Sequence, residues 1–255
     1  MSMINTLIEP LNAYANWLHL RWPSNTPEAL PEVGLDGATS IPGIRIAGDL
    51  LGVPLLKFAA DSGARAVQAF IAEKAFIEKV QGSDVLDLAI IGGGVAGLAA
   101  ALEAQKAGLK FVVYEASEPF TTIVNFTNGK PIFTYPREMQ PQGDVKLSAN
   151  VKEGLLAHLQ TQAEQANIPF EIRRVDRVVR KGKELEVRFT DTHPAIRATR
   201  ILICTGRSGD HYKLAVPGEE LDKVHNRLFD PKDYSGKSVL VVGGGDSLGG
   251  SGKST

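Results

Sequence analysis

The sequence predicts an α/β fold built around a central parallel sheet, and three consecutive segments lead to that prediction. Residues 85–91 form an apolar run that is interrupted only by Asp87, as expected of a strand covered on both faces. Residues 97–107 are rich in alanine and are followed by Gly108, which favours a helix that ends there. Residues 109–114 form the next apolar run. This strand–helix–strand order implies a right-handed crossover between parallel strands.

Further elements are predicted on both sides of this unit. A short strand and a helix rich in small residues precede it, and an amphipathic helix and several β-segments follow it. The predicted bounds are 44–47 for the strand, 55–79 for the helix, 148–165 for the amphipathic helix, and 170–179, 184–189, 201–204 and 238–242 for the β-segments. We therefore expect helices on one face of the sheet and a small β-meander on the other.

Three regions are expected along the chain. Residues 1–35 are predicted to form a helix and a Pro-rich connection, and residues 36–235 the main domain. Residues 236–255 are predicted to begin a further domain and to end in a mobile Gly/Ser-rich tail. Within the main domain, residues 118–144 form a long polar stretch, and such stretches are usually functional or disordered.

The composition is that of an ordinary globular protein. The 255 residues are 43% hydrophobic and 22% charged, and the formal net charge is −1, so no nucleic-acid or anionic-membrane partner is expected. The apolar stretch at residues 7–20 is too short to span a bilayer, and the N-terminus lacks a secretion signal. We expect no integral membrane span and a cytoplasmic location.

Cys204 is the single cysteine of the chain. An internal disulfide, a C-x-x-C redox pair and a zinc-type cysteine cluster are therefore excluded within this chain. The five histidines are scattered without ligand spacing, so no metal site is predicted. Cys204 itself is interpreted as a small buried residue rather than as a nucleophile.

A glycine-rich turn lies between the first strand and the helix of the central unit. Gly92, Gly94 and Gly97 satisfy the pattern G-x-G-x-x-G, which binds the diphosphate of a dinucleotide when it joins a strand to a helix. Gly92 permits the tight turn, Gly94 the approach of the diphosphate, and Gly97 the close packing of helix on strand. The N–H groups at the helix N-terminus, near Val95 and Ala96, would face the phosphates.

Glu115 lies about 20 residues beyond the first glycines, at the end of the second strand. A carboxylate at this position can accept hydrogen bonds from the two hydroxyl groups of a ribose and would repel a 2′-phosphate. The site therefore suits FAD or NAD and disfavours NADP. The glycine turn by itself does not separate FAD from NAD.

Two other segments favour FAD. Gly48-Asp49 ends the short predicted strand, and the following helix begins near Leu55 and Leu56. Asp49 can accept a hydrogen bond from a ribityl hydroxyl of a flavin, although a turn or helix-cap role is equally compatible with the sequence. The N–H groups of Leu55 and Leu56 can face the electron-rich end of the flavin ring. The second segment is a strand followed by Thr205-Gly206, which crosses from one lobe to the next.

At these three segments the chain resembles the thioredoxin-reductase-like branch of the FAD-dependent pyridine nucleotide-disulfide oxidoreductases. The glycine turn with Glu115, the Thr205-Gly206 element and Gly48-Asp49 match the FAD motifs of that family, and residues 215–220 match the segment that follows the Thr-Gly element. The resemblance implies a Rossmann-like FAD-binding domain, with the backbone around Val175 near the adenine. It also implies NADH or NADPH as the electron donor.

A loop in the chain resembles one subgroup of this family more closely. Residues 124–139 are similar to a loop of the single-cysteine bacillithiol disulfide reductases, in which a Tyr-Pro segment lies near the flavin. Lys57, Tyr135 and Arg207 could approach the flavin site, although solvated surface positions are the simpler interpretation for all three.

The chain departs from the family pattern in two respects. The Gly-Asp segment closes the FAD domain in the family but precedes the glycine turn here, so the segments are permuted, and we expect its strand beside the one at residues 85–91. Residues 241–247 resemble the opening of the NAD(P)H domain. A βαβ unit needs more than about 30 residues, so this domain is expected to be truncated.

Three functions are compatible with these observations. The favoured one is an FAD-dependent oxidoreductase that passes electrons from NAD(P)H through the flavin to a small-molecule or small-protein acceptor, with no protein residue required as acid, base or nucleophile. The first alternative is a non-catalytic FAD-binding module that senses redox state or carries electrons for a partner. The second is an NAD-binding protein without flavin. Because flavoproteins of the family are commonly homodimers, a homodimer is compatible with the resemblance.

Overall fold

The structure of the protein, a computed structural model, describes residues 30–73, 84–182, 184–207 and 215–242. The chain divides into two units, Met1–Pro31 and Glu32–Thr255, and every element below belongs to the second. The predicted helix at residues 7–20, the end of the helix predicted to reach residue 79 and the tail from residue 243 lie outside the described residues.

The described residues form seven β-strands, four α-helices and two short 3-10 turns. The strands are β1 (Ile44–Ile46), β2 (Leu86–Ile91), β3 (Phe111–Glu115), β4 (Phe170–Ile172), β5 (Val175–Lys181), β6 (Glu184–Phe189) and β7 (Ile196–Ile203). The helices are α1 (Leu56–Ala72), α2 (Val95–Lys106), α3 (Thr121–Val124) and α4 (Lys152–Gln165), and the 3-10 turns are Gly48–Leu51 and Pro231–Tyr234.

One sheet organises these elements. Its parallel part has the strand order β4–β3–β2–β7–β1. Along one edge, β7 has two partners, because residues 196–198 pair antiparallel with β6 and residues 201–203 pair in parallel with β1. The β5–β6–β7 meander therefore branches from the parallel sheet. The predicted α/β class, a central parallel sheet with a meander, is confirmed.

The two faces of the sheet are covered by different layers. On β2, Leu88 and Ile90 belong to the core that packs against the helices, whereas Ala89 and Ile91 belong to the core under the meander. This alternation follows from the two-residue period of a strand. The meander residues in the second core include Leu185, Val187 and Phe189. The continuous apolar run that predicted a strand buried on both faces is thereby explained.

Helices α1 and α2 pack closely on the helical face. A Cβ built on Gly63 would lie 2.1 Å from the carbonyl oxygen of Ala96, so the two backbones are in contact at this point. The neighbouring residues of α1 on this side are small and buried, among them Ala59, Ala60 and Ala64. The close packing expected from the small residues of this segment is present.

The strand that ends in Gly48-Asp49 does not lie beside the strand of the glycine turn. We expected β1 next to β2, but β7 lies between them and pairs with both. The other edge of β2 is already paired with β3. The free edge for β1 is the second half of β7, where β6 has turned away into the meander.

Two predicted β-segments differ from the structure. Residues 170–179 do not form one strand, because β4 pairs with β3 whereas β5 pairs with β6, and the chain turns between them at Arg173 and Arg174. Residues 238–242 have no strand assignment. A strand is stabilised by pairing with a neighbour, and within the described part of the chain no strand pairs with this apolar segment.

Candidate nucleotide-binding site

The glycine turn between β2 and α2 has a backbone that only glycine suits at two positions. Gly92 has a φ of 112°, and a Cβ on it would lie 2.3 Å from the carbonyl oxygen of Cys204, at the end of β7. A Cβ on Gly97 would lie 2.0 Å from the carbonyl oxygen of Gly92. The turn therefore contacts β7 on one side and the first turn of its own helix on the other, as the glycine pattern predicts.

Gly94 differs from these two glycines because it borders open space. A Cβ built on Gly94 would have no heavy atom within 4 Å, and Gly94 is the N-cap residue of α2, which begins at Val95. The N–H groups of the first helical turn have no acceptor within the helix. An anionic diphosphate fits this position, since it needs both the space and the N–H groups.

The Glu115 carboxylate is held in place by two backbone N–H groups. Its Oε2 atom accepts a 2.7 Å hydrogen bond from Gly93, in the glycine turn, and its Oε1 atom accepts one of 3.1 Å from Ser117. Each carboxylate oxygen can accept a further hydrogen bond. Glu115 at the end of β3 is therefore oriented beside the glycine turn and retains the capacity to accept ribose hydroxyl groups.

Phe120 also supports this turn, a contact that the sequence did not predict. Its N–H group donates a 3.0 Å hydrogen bond to the Gly93 carbonyl oxygen, and its buried ring meets the edge of Phe170 at 6.4 Å between centroids. Its φ of 63° lies in the left-handed region, which is uncommon for a bulky residue. No local sequence pattern signals a phenylalanine in this conformation.

Gly48 brings the permuted segment against the glycine turn. Its φ is 80°, and a Cβ on it would lie 3.1 Å from the Cβ atom of Ala96 in α2. Its N–H group donates a 2.9 Å hydrogen bond to the Oγ atom of Ser62 in α1, a contact that was not foreseen. The end of β1 and the start of α2 therefore lie together at the carboxyl edge of the sheet, where ligands of open α/β sheets bind.

Asp49 and Arg207 influence each other electrostatically at this edge. Partial burial raises the pKa of the Asp49 carboxyl group, and the positive charge of Arg207 opposes that shift. Arg207 directly follows Thr205, which is exposed, and Gly206, whose φ is 66°. The Thr-Gly element after β7 and the Gly-Asp element after β1 therefore end near one another.

Two N–H donors were expected at the start of α1, those of Leu55 and Leu56, and the structure leaves one of them for a ligand. The helix begins at Leu56, with Leu55 as its N-cap residue. The Leu55 N–H group already donates a 2.9 Å hydrogen bond to the Val53 carbonyl oxygen. The Leu56 N–H group, at the first helical position, has no acceptor within the helix.

Val175 lies on the Glu115 side of the site. It is the first residue of β5 and pairs with Phe189. Two residues earlier, the Arg173 N–H group donates a 2.7 Å hydrogen bond to the carbonyl oxygen of Glu115. The structure therefore connects the start of β5 to the end of β3, where the adenosine part of a dinucleotide was expected.

Lys57 is not the solvated surface group that the sequence suggested. Its ammonium donates hydrogen bonds to the carbonyl oxygens of Pro136, Arg137 and Met139, at 2.7, 3.1 and 2.8 Å. Tyr135, in the same loop, is 47% exposed, and its ring stacks on that of Phe133. The position of this loop thus depends on a lysine from the permuted segment.

Cys204 is buried at the end of β7. Its N–H group donates a 2.7 Å hydrogen bond to the Ile91 carbonyl oxygen, and burial raises the pKa of its thiol. Such a thiol stays protonated at neutral pH and is a poor nucleophile.

Within the described part of the chain, no cluster of acidic, histidine or cysteine side chains could hold a metal ion, and no helix there could cross a membrane.

Comparison with known families matches residues 89–249 to the model described as pyridine nucleotide-disulphide oxidoreductase. The cofactors of this family are FAD and NAD(P)H, in agreement with the cofactors predicted from the sequence. The match begins inside β2 and leaves out β1 and α1. Those two elements nevertheless belong to the same sheet and the same helical layer as the matched region.

Curated proteins similar to the chain include several reductases. The ferredoxin–NADP reductase of Ignicoccus hospitalis is 28% identical over 163 residues, which is 63% of this chain and 50% of that protein. The thioredoxin reductase of Listeria monocytogenes is 30% identical over 169 residues, which is 64% of this chain and 47% of that protein. The chain spans about half the length of these two relatives.

A solved structure shows the same fold. The bacillithiol disulfide reductase Bdr from Bacillus cereus has a TM-score of 0.51 and 26% sequence identity, over 58% of this chain and 48% of that chain. This protein belongs to the subgroup that the loop at residues 124–139 resembles. The predicted relation to thioredoxin-reductase-like flavoproteins is confirmed.

Proposed function

Because the chain belongs to the pyridine nucleotide-disulphide oxidoreductase family, we propose that it is an FAD-dependent oxidoreductase that passes electrons from NADH or NADPH to an acceptor. The observation that carries this proposal is the open space at Gly94 beside the oriented carboxylate of Glu115. The bound flavin supplies the redox chemistry, because it accepts a hydride and can release the electrons again. The residues of the chain supply binding, orientation and electrostatics.

The diphosphate of FAD is assigned to the glycine turn. Gly94 provides the space, and the first N–H groups of α2, at Val95 and Ala96, provide the donors and the positive end of the helix dipole. Gly92 and Gly97 shape the turn so that these groups converge. All five residues were predicted for this role from the sequence.

The adenosine is assigned to the neighbouring strand ends. Glu115 would accept hydrogen bonds from the ribose hydroxyl groups while Gly93 and Ser117 hold its carboxylate. The backbone at Val175 would contact the adenine. A carboxylate in this position repels a 2′-phosphate, which supports FAD rather than NADP at this site.

The flavin end is assigned to the segments that meet at the other side of the turn. Asp49 would accept a hydrogen bond from the ribityl chain, and the Leu56 N–H group would face the ring. Leu55 would contribute surface rather than a donor, because its N–H group is already bonded to Val53. Gly48 and the Thr205-Gly206 element would border the flavin where β1 and β7 end.

The acceptor is proposed to be a small molecule or a small protein. The names of curated relatives include reductases of thioredoxin and of ferredoxin, which supports a small redox protein as one class of acceptor. We propose no residue of the chain as a proton donor or as a nucleophile. A cytoplasmic homodimer is part of the same proposal, and sedimentation of the purified protein tests its oligomeric state.

Binding of FAD is tested with the purified chain. We expect a yellow protein that absorbs between about 350 and 500 nm. Glu115→Gln should weaken FAD binding by about 10- to 100-fold, because a neutral amide replaces a charged acceptor. Glu118→Gln is the matched control, since Glu118 is exposed three residues farther along the chain, and its affinity for FAD should stay that of the unchanged protein.

Electron transfer is tested by mixing the yellow protein with NADH or NADPH under anaerobic conditions. Bleaching of the flavin by either nucleotide supports the proposal. If dithionite bleaches the flavin but neither nucleotide does, the proposal is contradicted and a non-catalytic FAD-binding module is favoured. A colourless protein that binds NAD but not FAD would show that the site holds a nicotinamide dinucleotide instead.

A further inference from the structure

A strap of chain, residues 136–144, lies along one side of α1. The Gln142 N–H group donates a 2.9 Å hydrogen bond to the Oδ1 atom of Asp61. A Cβ built on Gly143 would lie 2.8 Å from the Cβ atom of Ala64. Together with Lys57, these contacts fall at positions i, i+4 and i+7 of α1, which share one face of a helix. The strap therefore follows a single stripe of the helix.

The two ends of the strap are held in different ways. At the end that leads into the buried Val145, Gly143 packs on Ala64. At the end near the start of α1, the side chains of Arg137 and Glu138 are exposed. Hydrogen bonds from Lys57 to carbonyl oxygens hold this second end.

The Lys57 ammonium is well suited to this contact. It has three N–H donors, and the structure gives it three carbonyl acceptors within 3.1 Å, at Pro136, Arg137 and Met139. A positive charge in the first turn of a helix is unfavourable with respect to the helix dipole. The three carbonyl dipoles offset that cost only while the strap is in place, so the lysine and the strap stabilise each other.

We propose that Lys57 is a positioning residue, whose ammonium fixes the strap against the first turn of α1 and thereby limits solvent access to the flavin end of the site. The part that concerns the flavin rests on the proposed function, whereas the part that concerns the strap does not. Lys57 directly follows Leu56, the residue proposed to face the ring. Movement of the strap away from Lys57 would expose the first turn of α1, to which Leu56 belongs.

The strap is tested first in the protein without added FAD. Lys57→Met keeps the length of the aliphatic chain and removes all three donors. We expect amide hydrogen exchange at Met139 and Gln142, whose N–H groups donate to the Pro136 carbonyl oxygen and to Asp61, to become about tenfold faster or more. Lys57→Arg, which retains charge and donors, should restore part of the protection. Lys146→Met is the matched control, because Lys146 is an exposed lysine just beyond the strap. Amide exchange in the strap of this variant should equal that in the unchanged protein.

The flavin end is tested in the FAD-loaded protein by quenching of flavin fluorescence with iodide. Lys57→Met should increase the quenching constant about two- to fivefold, an increase that an opened local segment would produce, and Lys57→Arg should reverse most of it. Unchanged exchange at Met139 and Gln142 would overturn the role of Lys57. Equally faster exchange throughout the protein would also overturn it, since it would show a general loss of stability.

Faster exchange without increased quenching would overturn the shielding of the flavin. A chain that binds no FAD would refute the proposed function and with it the shielding, while the exchange experiment would still decide whether Lys57 holds the strap.

Discussion

The Cα atom of Gly63 lies against the carbonyl oxygen of Ala96, so that a Cβ on Gly63 would approach this oxygen to 2.1 Å. Ala96 belongs to the first turn of α2, where the diphosphate is proposed to bind. Gly63 belongs to α1, in the segment that precedes the glycine turn in the chain. This contact fixes the segment that precedes the glycine turn to the proposed nucleotide site by the approach of two backbones.

Gly63→Ala is therefore expected to destabilise the fold. The two helices must separate to accept a methyl group, which should lower the free energy of unfolding by about 1–3 kcal/mol or more. Urea unfolding followed by circular dichroism measures the change. Gly154→Ala in α4 is the matched control, because its Cβ would meet only ordinary contacts at 3.6 Å or more, and alanine in a helix is favoured over glycine by about 0.5–1 kcal/mol. Equal stability of the Gly63 variant and the unchanged protein would contradict the prediction.

Gly94→Ala is expected to weaken FAD binding, whereas Gly97→Ala is expected to destabilise the fold. A Cβ on Gly94 meets nothing within 4 Å, whereas one on Gly97 would lie 2.0 Å from the Gly92 carbonyl oxygen. The Gly94 variant should therefore keep the unfolding midpoint and lose FAD affinity by about tenfold or more, since the methyl group occupies the space of the diphosphate. The Gly97 variant should lose stability. Thermal unfolding and FAD titration of both proteins check this, and full FAD affinity of the Gly94 variant would count against the assigned site.

The pH dependence of stability should report the burial of Asp49. Burial raises the pKa of this carboxyl group, against the charge of Arg207, so the folded chain binds the proton more tightly than the unfolded chain. The contribution of Asp49 to the free energy of unfolding is therefore fully present below the pKa of about 3.9 that its carboxyl group has in the unfolded chain. This contribution is lost as the pH rises through the higher pKa of the same group in the folded chain. Asp49→Asn should gain stability relative to the unchanged protein over that range, as measured by urea unfolding at a series of pH values.

Asp36→Asn supplies the control of opposite sign for this experiment. A hydrogen bond from Arg45 lowers the pKa of Asp36, so its contribution is present above the unfolded pKa and is lost as pH falls. The Asp36 variant should therefore lose stability relative to the unchanged protein as pH rises from about 3 to 5. A difference between Asp49→Asn and the unchanged protein that does not vary with pH would contradict the burial of Asp49.

Cys204 should be unreactive in the folded protein. Burial raises the pKa of its thiol, and the reactive species is the exposed thiolate. Because it is the single cysteine, reaction with Ellman's reagent measures it directly. We expect labelling at the rate of unfolding in buffer and immediate labelling in denaturant. If the folded chain were labelled rapidly, at a rate that urea does not change, Cys204 at the end of β7 would be accessible to the reagent without unfolding.

Local patterns in the sequence were sufficient to predict much of the site. The spacing of Gly92, Gly94 and Gly97 between an apolar run and an alanine-rich run indicates a turn between a strand and a helix, and Glu115 follows at the end of the next strand. These features depend on backbone conformation within a few residues. For that reason they can be recognised without knowledge of any distant contact.

Long-range partners could not be predicted in the same way. The left-handed conformation of Phe120 depends on its hydrogen bond to Gly93 and on its packing against Phe170. The insertion of β7 between β1 and β2 depends on where the meander leaves the sheet. Neither choice has a periodic signal in the residues concerned.

The sequence by itself determined a glycine turn between a strand and a helix, an acidic residue at the end of the next strand and a Gly-Asp segment after a short strand. Only the tertiary structure decided that this Gly-Asp segment reaches the turn, through Gly48 and Gly63 against Ala96, and that Lys57 ties the strap to α1. The physical reason is that backbone conformation is set by neighbours in the chain, whereas these contacts join residues that are distant in sequence and meet only when the sheet and its helices have assembled.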